Sequence, residues 1–84
     1  MRAEDFLPDH ENRMQTADGH VVRKGTIGAF LANARIWSDA GTPTVARLDV
    51  EKDIIDSLPA LRSLGLFDVC VVRDKALQRL IDEH

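Results

Sequence analysis

The chain has 84 residues, of which 44% are hydrophobic and 30% are charged, and its formal net charge is −3. This composition is typical of a folded domain and excludes an intrinsically disordered chain, while the length allows one hydrophobic core. The acidity argues against nucleic-acid binding, which draws on concentrated Lys and Arg, and no apolar run approaches the roughly 18 residues that span a bilayer.

The N-terminal segment, residues 1–12, is charged and offers only Phe6 and Leu7 as apolar anchors. We predict a flexible or loosely docked arm, followed by a single globular domain over residues 13–84. The segment lacks the basic and then apolar pattern of a secretion signal. The lone cysteine, Cys70, excludes an internal disulfide. Both features favour a cytoplasmic location without membrane association.

Residues 13–25 predict a β-hairpin. Asp18-Gly19 is favoured in two-residue type I′ turns, because both turn positions need positive φ. The flanks, 14–17 and 20–24, are then expected to pair. Val21 and Val22 point to opposite faces of the second strand, so at least one of them is expected to pack inward.

Residues 26–41 carry the strongest helical pattern. Thr26 suits the N-cap, where its hydroxyl would accept a hydrogen bond from an unpaired N–H, and Gly41 suits a left-handed C-cap. Gly28 and Ala32 leave a second face of this helix thin, so another backbone could approach it closely. The apolar stripe consists of Ile27, Phe30, Leu31, Ala34 and Trp37.

A second helix is predicted to begin at Pro43 and to run to about Ser57. Leu58-Pro59 then either kinks it or starts a short new helix that ends at Leu64. Gly65 is expected to close this region in the left-handed conformation, with Leu66 as its hydrophobic contact. The expected apolar stripe is Val45, Leu48, Val50, Ile54, Ile55 and Leu58.

The segment Phe67–Arg73 is rich in β-branched residues and predicts a strand, with Asp68 as a carboxylate in an apolar setting. Because an isolated hairpin is marginally stable, this strand is expected to join it. Asp74 is expected to cap a last helix. The predicted fold class is therefore α+β: an N-terminal β-hairpin plus one later strand form a small antiparallel sheet, packed with three or four helices.

The sequence contains no catalytic or metal-binding constellation. Its three histidines are scattered, and no Ser or Cys stands on a glycine elbow. His10-Glu11 begins like a zinc-protease motif, but Met14 stands where the second His belongs. We therefore predict no enzyme activity, no metal and no cofactor. Cys70 is expected to be a small buried hydrophobe rather than a reactive thiol.

Two features are candidate contacts for an anion or a partner. Residues Arg23, Lys24, Gly25 and Thr26 lead into the N-terminus of the first helix, where unpaired N–H groups and the helix dipole favour an anion. The alternative is structural: Gly25 ends a strand and Gly28 permits close packing. Trp37, with the Gly28/Ala32 face and the basic hairpin, is the candidate partner surface unless it belongs to the core.

Charge is distributed unevenly along the chain. Residues 13–35 hold four basic side chains against one acidic one, whereas residues 49–56 hold four acidic side chains against one basic one. This asymmetry either orients a partner or a second copy of the chain, or reflects two solvated faces.

Two stretches resemble an uncharacterised family of short bacterial proteins, a domain of unknown function. Together they cover about residues 18–68, and the arm and the last helix lie outside them. The family has no assigned activity, so the resemblance implies no functional residue. The stretches read Asp18-Gly19-x-Val21 with Gly25-Thr26-Ile27-Gly28-Ala29-Phe30-Leu31-x-Asn33, and Leu58-Pro59-Ala60-Leu61-x-x-Leu64-Gly65-Leu66-Phe67-Asp68.

The function predicted from these residues is a non-enzymatic cytoplasmic interaction or regulatory module. Its expected partner is a protein, either another protein or a second copy of itself in a homodimer. One alternative is a nucleic-acid-binding module related to the winged helix, although its recognition helix, 45–58, would be acidic. The other is a small acidic inhibitor or immunity protein.

Overall fold

A computed structural model describes residues 13–15, 19, 21–23 and 25–84. The predicted arm, residues 1–12, lies outside the described residues. The elements, in chain order, are β1 (Arg13–Gln15), β2 (Val21–Arg23), α1 (Thr26–Ser38), α2 (Thr44–Leu64), α3 (Leu66–Val69) and α4 (Lys75–Asp82).

The predicted α+β fold is wrong, because the chain is mostly helical. Over the described residues, the two strands are three residues long and pair with each other alone, so they form no sheet layer over the helices. The predicted third strand does not form: the chain makes the short helix α3 there and then runs through Cys70 in an extended conformation. Phe67 instead packs edge-on against Phe30, with ring centroids 5.9 Å apart. We attribute the loss of the strand to this burial, which outweighs the local β-propensity.

The hairpin forms, but its register differs by one residue from the predicted two-residue turn. That turn would place Gln15 opposite Val22, whereas Gln15 lies opposite Val21 and Met14 opposite Val22. Gly19 has a φ of 92°, as in longer hairpin loops that place glycine in the left-handed region. Since a one-residue shift exchanges the two faces of a strand, this register matters for burial. Val22 is buried, which fulfils the expectation that one of the two valines packs inward.

Helix α1 lies within the predicted range of residues 26–41, but it ends at Ser38, three residues before the end of that range. Its C-cap is Asp39, whose backbone is extended, and not Gly41 in a left-handed conformation. The turn after it is closed by side chains. Asp39 Oδ1 accepts a hydrogen bond from the Gly41 N–H at 3.0 Å, and the Thr42 hydroxyl donates to the Ile36 carbonyl at 2.6 Å. These bonds satisfy the helix end without a left-handed glycine.

Helix α2 continues through Pro59 instead of breaking there. Proline removes one helical hydrogen bond, at a cost of about 3 kcal/mol in a helix interior. Ile54, Leu58 and Leu61 are wholly buried on one face of the helix, and burial stabilises by about 1.5–3 kcal/mol per side chain. The burial therefore outweighs the missing bond, and Pro59 is exposed on the other side.

The predicted stripe of α2 is wrong at its N-terminal end. Val45 and Leu48 are 72% and 57% exposed. Val45 lies nine residues before Ile54, which places it on the opposite side of the helix at 100° per residue. The core-facing side is set instead by the spacing of Ile54, Leu58 and Leu61.

Gly65 ends α2 with a φ of 94°, as predicted, and its N–H donates to the carbonyl of Arg62. Leu66 packs against the core, also as predicted. Asp74 caps α4, its Oδ1 accepting a hydrogen bond from the Leu77 N–H at 2.9 Å. The core that α1, α2 and α4 share contains Phe30, Trp37, Ile54, Leu58, Leu61, Leu77 and Ile81.

Candidate functional site

The predicted contact at the start of α1 lies at the corner between β2 and the helix. Thr26 is the first helical residue and Gly25 is the N-cap, so the predicted N-cap at Thr26 is wrong. The Thr26 hydroxyl accepts a hydrogen bond from the Arg23 backbone N–H at 3.1 Å. The hydroxyl therefore ties β2 to α1 and does not satisfy the helix's own N–H groups. The Arg23 side chain is exposed, and Lys24 lies outside the described residues.

Trp37 lies in the core, with 7% of its surface exposed. Its Nε1–H donates to Glu51 Oε1 at 3.1 Å, and the Arg47 guanidinium carbon lies 4.0 Å from the centroid of its ring. These contacts join α1 to α2. Gly28 and Ala32 are exposed and lie nine and five residues before Trp37, on the opposite side of α1. The structure thus does not bring Trp37 and the thin face into one surface.

The chemistry of the described residues is sparse. Within residues 13–15, 19, 21–23 and 25–84, no three His, Cys, Asp or Glu side chains come close enough to hold a metal ion. Cys70 is exposed, so its predicted burial is wrong. Asp68 is exposed in α3 and not set in an apolar strand.

No helix in the described part of the chain is long and apolar enough to cross a bilayer.

An apolar groove lies between α1 and the segment that follows α3. Its more enclosed part has a volume of about 260 Å³ and its open part about 580 Å³. The two parts share Leu31, Ala34, Val72 and Arg73, so they form one continuous depression. The floor of the enclosed part comes from Phe30, Leu66 and Phe67, which belong to or pack against the core.

Large apolar side chains stay exposed at this groove. Leu31 is 55% exposed although it belongs to the stripe that packs the rest of α1 into the core. Val71, which lines the enclosed part, is 83% exposed, and the nearby Val69 is 84% exposed. Single exposed apolar residues are ordinary, whereas contiguous exposed apolar side chains are typical of interaction surfaces.

The backbone beside the groove contains polar groups with and without hydrogen bonds. The Cys70 N–H donates to the Leu66 carbonyl at 2.9 Å, and the Val72 N–H donates to Gln78 Oε1 at 2.5 Å. Val71, between them, makes no hydrogen bond to any described residue through its N–H or its carbonyl. Both backbone groups of Val71 are therefore left for a partner, as far as the described part of the chain is concerned.

Two cations lie on the rim of the groove. Arg35 on α1 and Arg73 both line its open part and are exposed. Neither guanidinium has an ion pair or hydrogen bond within the described ranges. The carboxylate of Asp74, which also lines this part, accepts the N–H of Leu77. Among the described residues, the groove therefore combines an apolar floor, the unbonded N–H and carbonyl of Val71, and two unpaired positive charges.

Sequence reasoning did not find this groove, although two signals pointed to it. The β-branched segment predicted a strand, and its residues 70–72 lie outside the helices without pairing to another strand. The stripe of α1 contained Leu31, one apolar residue more than the core accepts. Both the segment after α3 and Leu31 lie on a surface that the described chain leaves uncovered.

Comparison with known proteins adds no relative: no family model, curated protein or solved structure matches the chain. The resemblance of residues 18–68 to an uncharacterised bacterial family therefore stays a prediction.

Proposed function

We propose that this chain is a non-enzymatic cytoplasmic module that binds another protein through the groove between α1 and residues 70–73. The observation that carries the proposal is the coincidence of Leu31 and Val71, exposed apolar side chains, with the unpaired backbone of Val71 along one depression. The free thiol of Cys70 at the surface supports the proposed compartment, since exposed thiols persist under reducing conditions.

The shape of the groove favours a protein over a small molecule. Ligand pockets enclose most of their ligand and place several convergent polar groups around it. Here the larger part is open, and its charged groups sit on the rim. An open apolar surface with a polar rim is typical of a protein–protein interface, in which side chains of the partner fill the apolar part.

The nucleic-acid alternative has less support. The outer face of α2, which would be the recognition helix, carries three exposed carboxylates, those of Asp49, Asp53 and Asp56. They would repel a phosphate backbone. The inhibitor or immunity-protein alternative would use this acidic face in place of the groove, so the two surfaces can be tested against each other.

The test uses two leucines of matched exposure. Leu31, in the groove, is 55% exposed, and Leu48, on the outer face of α2, is 57% exposed. The tagged full chain, Leu31→Asp and Leu48→Asp are each used to capture proteins from the source cells, with quantitative mass spectrometry. Circular dichroism verifies that all three chains are folded.

We expect at least one protein that the parent chain and Leu48→Asp retain equally and that Leu31→Asp retains about tenfold less, the loss typical of a buried interface contact. If Leu31→Asp captures every protein that the parent captures, the groove is not the contact surface. Loss on Leu48→Asp alone would favour the acidic face and the inhibitor alternative.

A further inference from the structure

We infer, on the premise that the groove binds a protein, that its occupant is an extended segment of the partner that carries apolar residues and a carboxylate and pairs with the backbone of Val71. The inference specifies the conformation and the chemistry of the segment, which the proposed function leaves open. It rests on three observations: the unbonded backbone groups of Val71, the apolar floor of the groove, and the two cations that are unpaired among the described residues.

The backbone favours an added strand over a docked helix. A helix satisfies its own N–H and carbonyl groups, so it would leave those of Val71 unpaired when it covers them. An extended segment exchanges two hydrogen bonds with one residue of an edge. The flanking N–H groups are already occupied, because Cys70 and Val72 donate to Leu66 and Gln78. The N–H and carbonyl of Val71 make no hydrogen bond among the described residues, so they can pair with such a segment.

The conformation of the chain before Val71 is compatible with pairing. Cys70 has φ −127° and ψ 143°, which are strand values. The chain bends at Arg73, so the edge is short and hydrogen bonds alone would hold a strand weakly. Apolar side chains on the groove side of the added segment would provide the remaining affinity, through contact with Leu31 and the floor formed by Phe30 and Phe67.

The charges specify an acidic segment. Arg35 and Arg73 stand on the rim without an ion pair among the residues described. A carboxylate of the partner could pair with either guanidinium, and Arg forms such pairs in two-pronged geometry.

The first experiment identifies the chemistry. A phage library of random dodecapeptides is selected on the biotinylated full chain, and enriched sequences are synthesised and titrated by fluorescence anisotropy. We expect alternating apolar residues with at least one Asp or Glu. Arg35→Glu combined with Arg73→Glu should weaken binding about tenfold, whereas Lys52→Glu on the outer face of α2 should leave it unchanged. Enrichment of peptides without acidic residues, or of none, overturns the inference.

The second experiment tests strand pairing. Val71→Pro removes the N–H of Val71, and the extended Cys70 is the conformation that precedes proline without strain. Because Val71 is 83% exposed and makes no hydrogen bond among the described residues, we expect the variant to fold. It should bind the selected peptide about tenfold more weakly than Val71→Thr, which keeps both the N–H and the branched side chain.

Amide exchange provides a readout that does not depend on these variants. On peptide binding, the Val71 N–H should exchange more slowly, whereas the Val72 N–H, already bonded to Gln78, should change little. Peptides that bind the groove without slowing Val71 overturn strand pairing and leave the proposed function intact. The capture comparison of Leu31→Asp with Leu48→Asp decides the proposed function separately. A dimer of the unliganded chain by sedimentation, lost in Val71→Pro, would replace the acidic partner by a second copy and overturn the inference.

Discussion

The position of Trp37 leads to a stability prediction that distinguishes a core residue from a surface contact. Its side chain is 7% exposed and lies in the core with Phe30 and Ile54. Truncation of a buried tryptophan to alanine costs about 3–5 kcal/mol, the sum of lost transfer energy and the cavity left behind. We expect this loss in the free energy of unfolding of Trp37→Ala.

This loss is large relative to the total free energy of unfolding. A chain of this length is expected to have about 4–13 kcal/mol of total stability. Trp37→Ala would thus remove about a quarter or more of it and lower the melting temperature by over about 10 °C. Trp37→Phe keeps most of the ring and loses the bond to Glu51 Oε1, so it should cost about 1–2 kcal/mol.

The assay is urea unfolding followed by far-ultraviolet circular dichroism, because Trp37 is the sole tryptophan and its removal abolishes the fluorescence signal. Leu48→Ala, at a position 57% exposed, serves as the control and should lie within about 0.5 kcal/mol of the parent. A cost below about 1 kcal/mol for Trp37→Ala would refute the assignment of Trp37 to the core and return it to the candidate partner surface.

Three further substitutions test the local structure, each by the same unfolding assay. Gly65→Ala should cost about 1–2 kcal/mol, because the φ of 94° is left-handed while the added Cβ would meet only Asp68 Oδ2 at an ordinary 3.5 Å; no loss would contradict the left-handed cap. Gly28→Ala should instead raise the free energy of unfolding by about 0.5–1 kcal/mol, since an added Cβ meets nothing within 4 Å. A lower free energy of unfolding would support the close packing predicted for Gly28. Asp74→Ala should cost about 1 kcal/mol through loss of the bond to the Leu77 N–H, and Asp74→Asn should recover most of it.

The parts of the fold that could be predicted are those in which a local rule and the core agree. The stripe of α1 predicted that Phe30 and Trp37 share a face, and both are buried. Gly65 and Asp74 were predicted from residue type alone, because few residues other than glycine adopt a left-handed φ and aspartate is a preferred N-cap. In each case the tertiary structure requires nothing that contradicts the local preference.

Other parts could not be predicted because distant contacts decided them. Leu58-Pro59 predicted either a kink in α2 or the start of a new helix, but the burial of Leu58 and Leu61 on both sides of Pro59 keeps α2 a single helix. Val45 fits a helical stripe of apolar residues. The face of α2 that packs against α1 is a different one, and Glu51 and Arg47 on that face contact Trp37. The spacing of apolar residues does not reveal which of two overlapping stripes meets the neighbouring helix.

The remaining errors lie together in space, and we regard them as informative. The predicted strand gave way to α3, where Phe67 packs against Phe30, and Leu31 failed as a core residue because nothing among the described residues covers it. Leu31 and Val71 line one groove. Natural sequences are locally consistent with their folds except where function demands otherwise. The unbonded backbone of Val71 beside an exposed leucine is therefore the feature on which the proposed partner segment rests, since that segment would provide both the missing strand and the missing apolar cover.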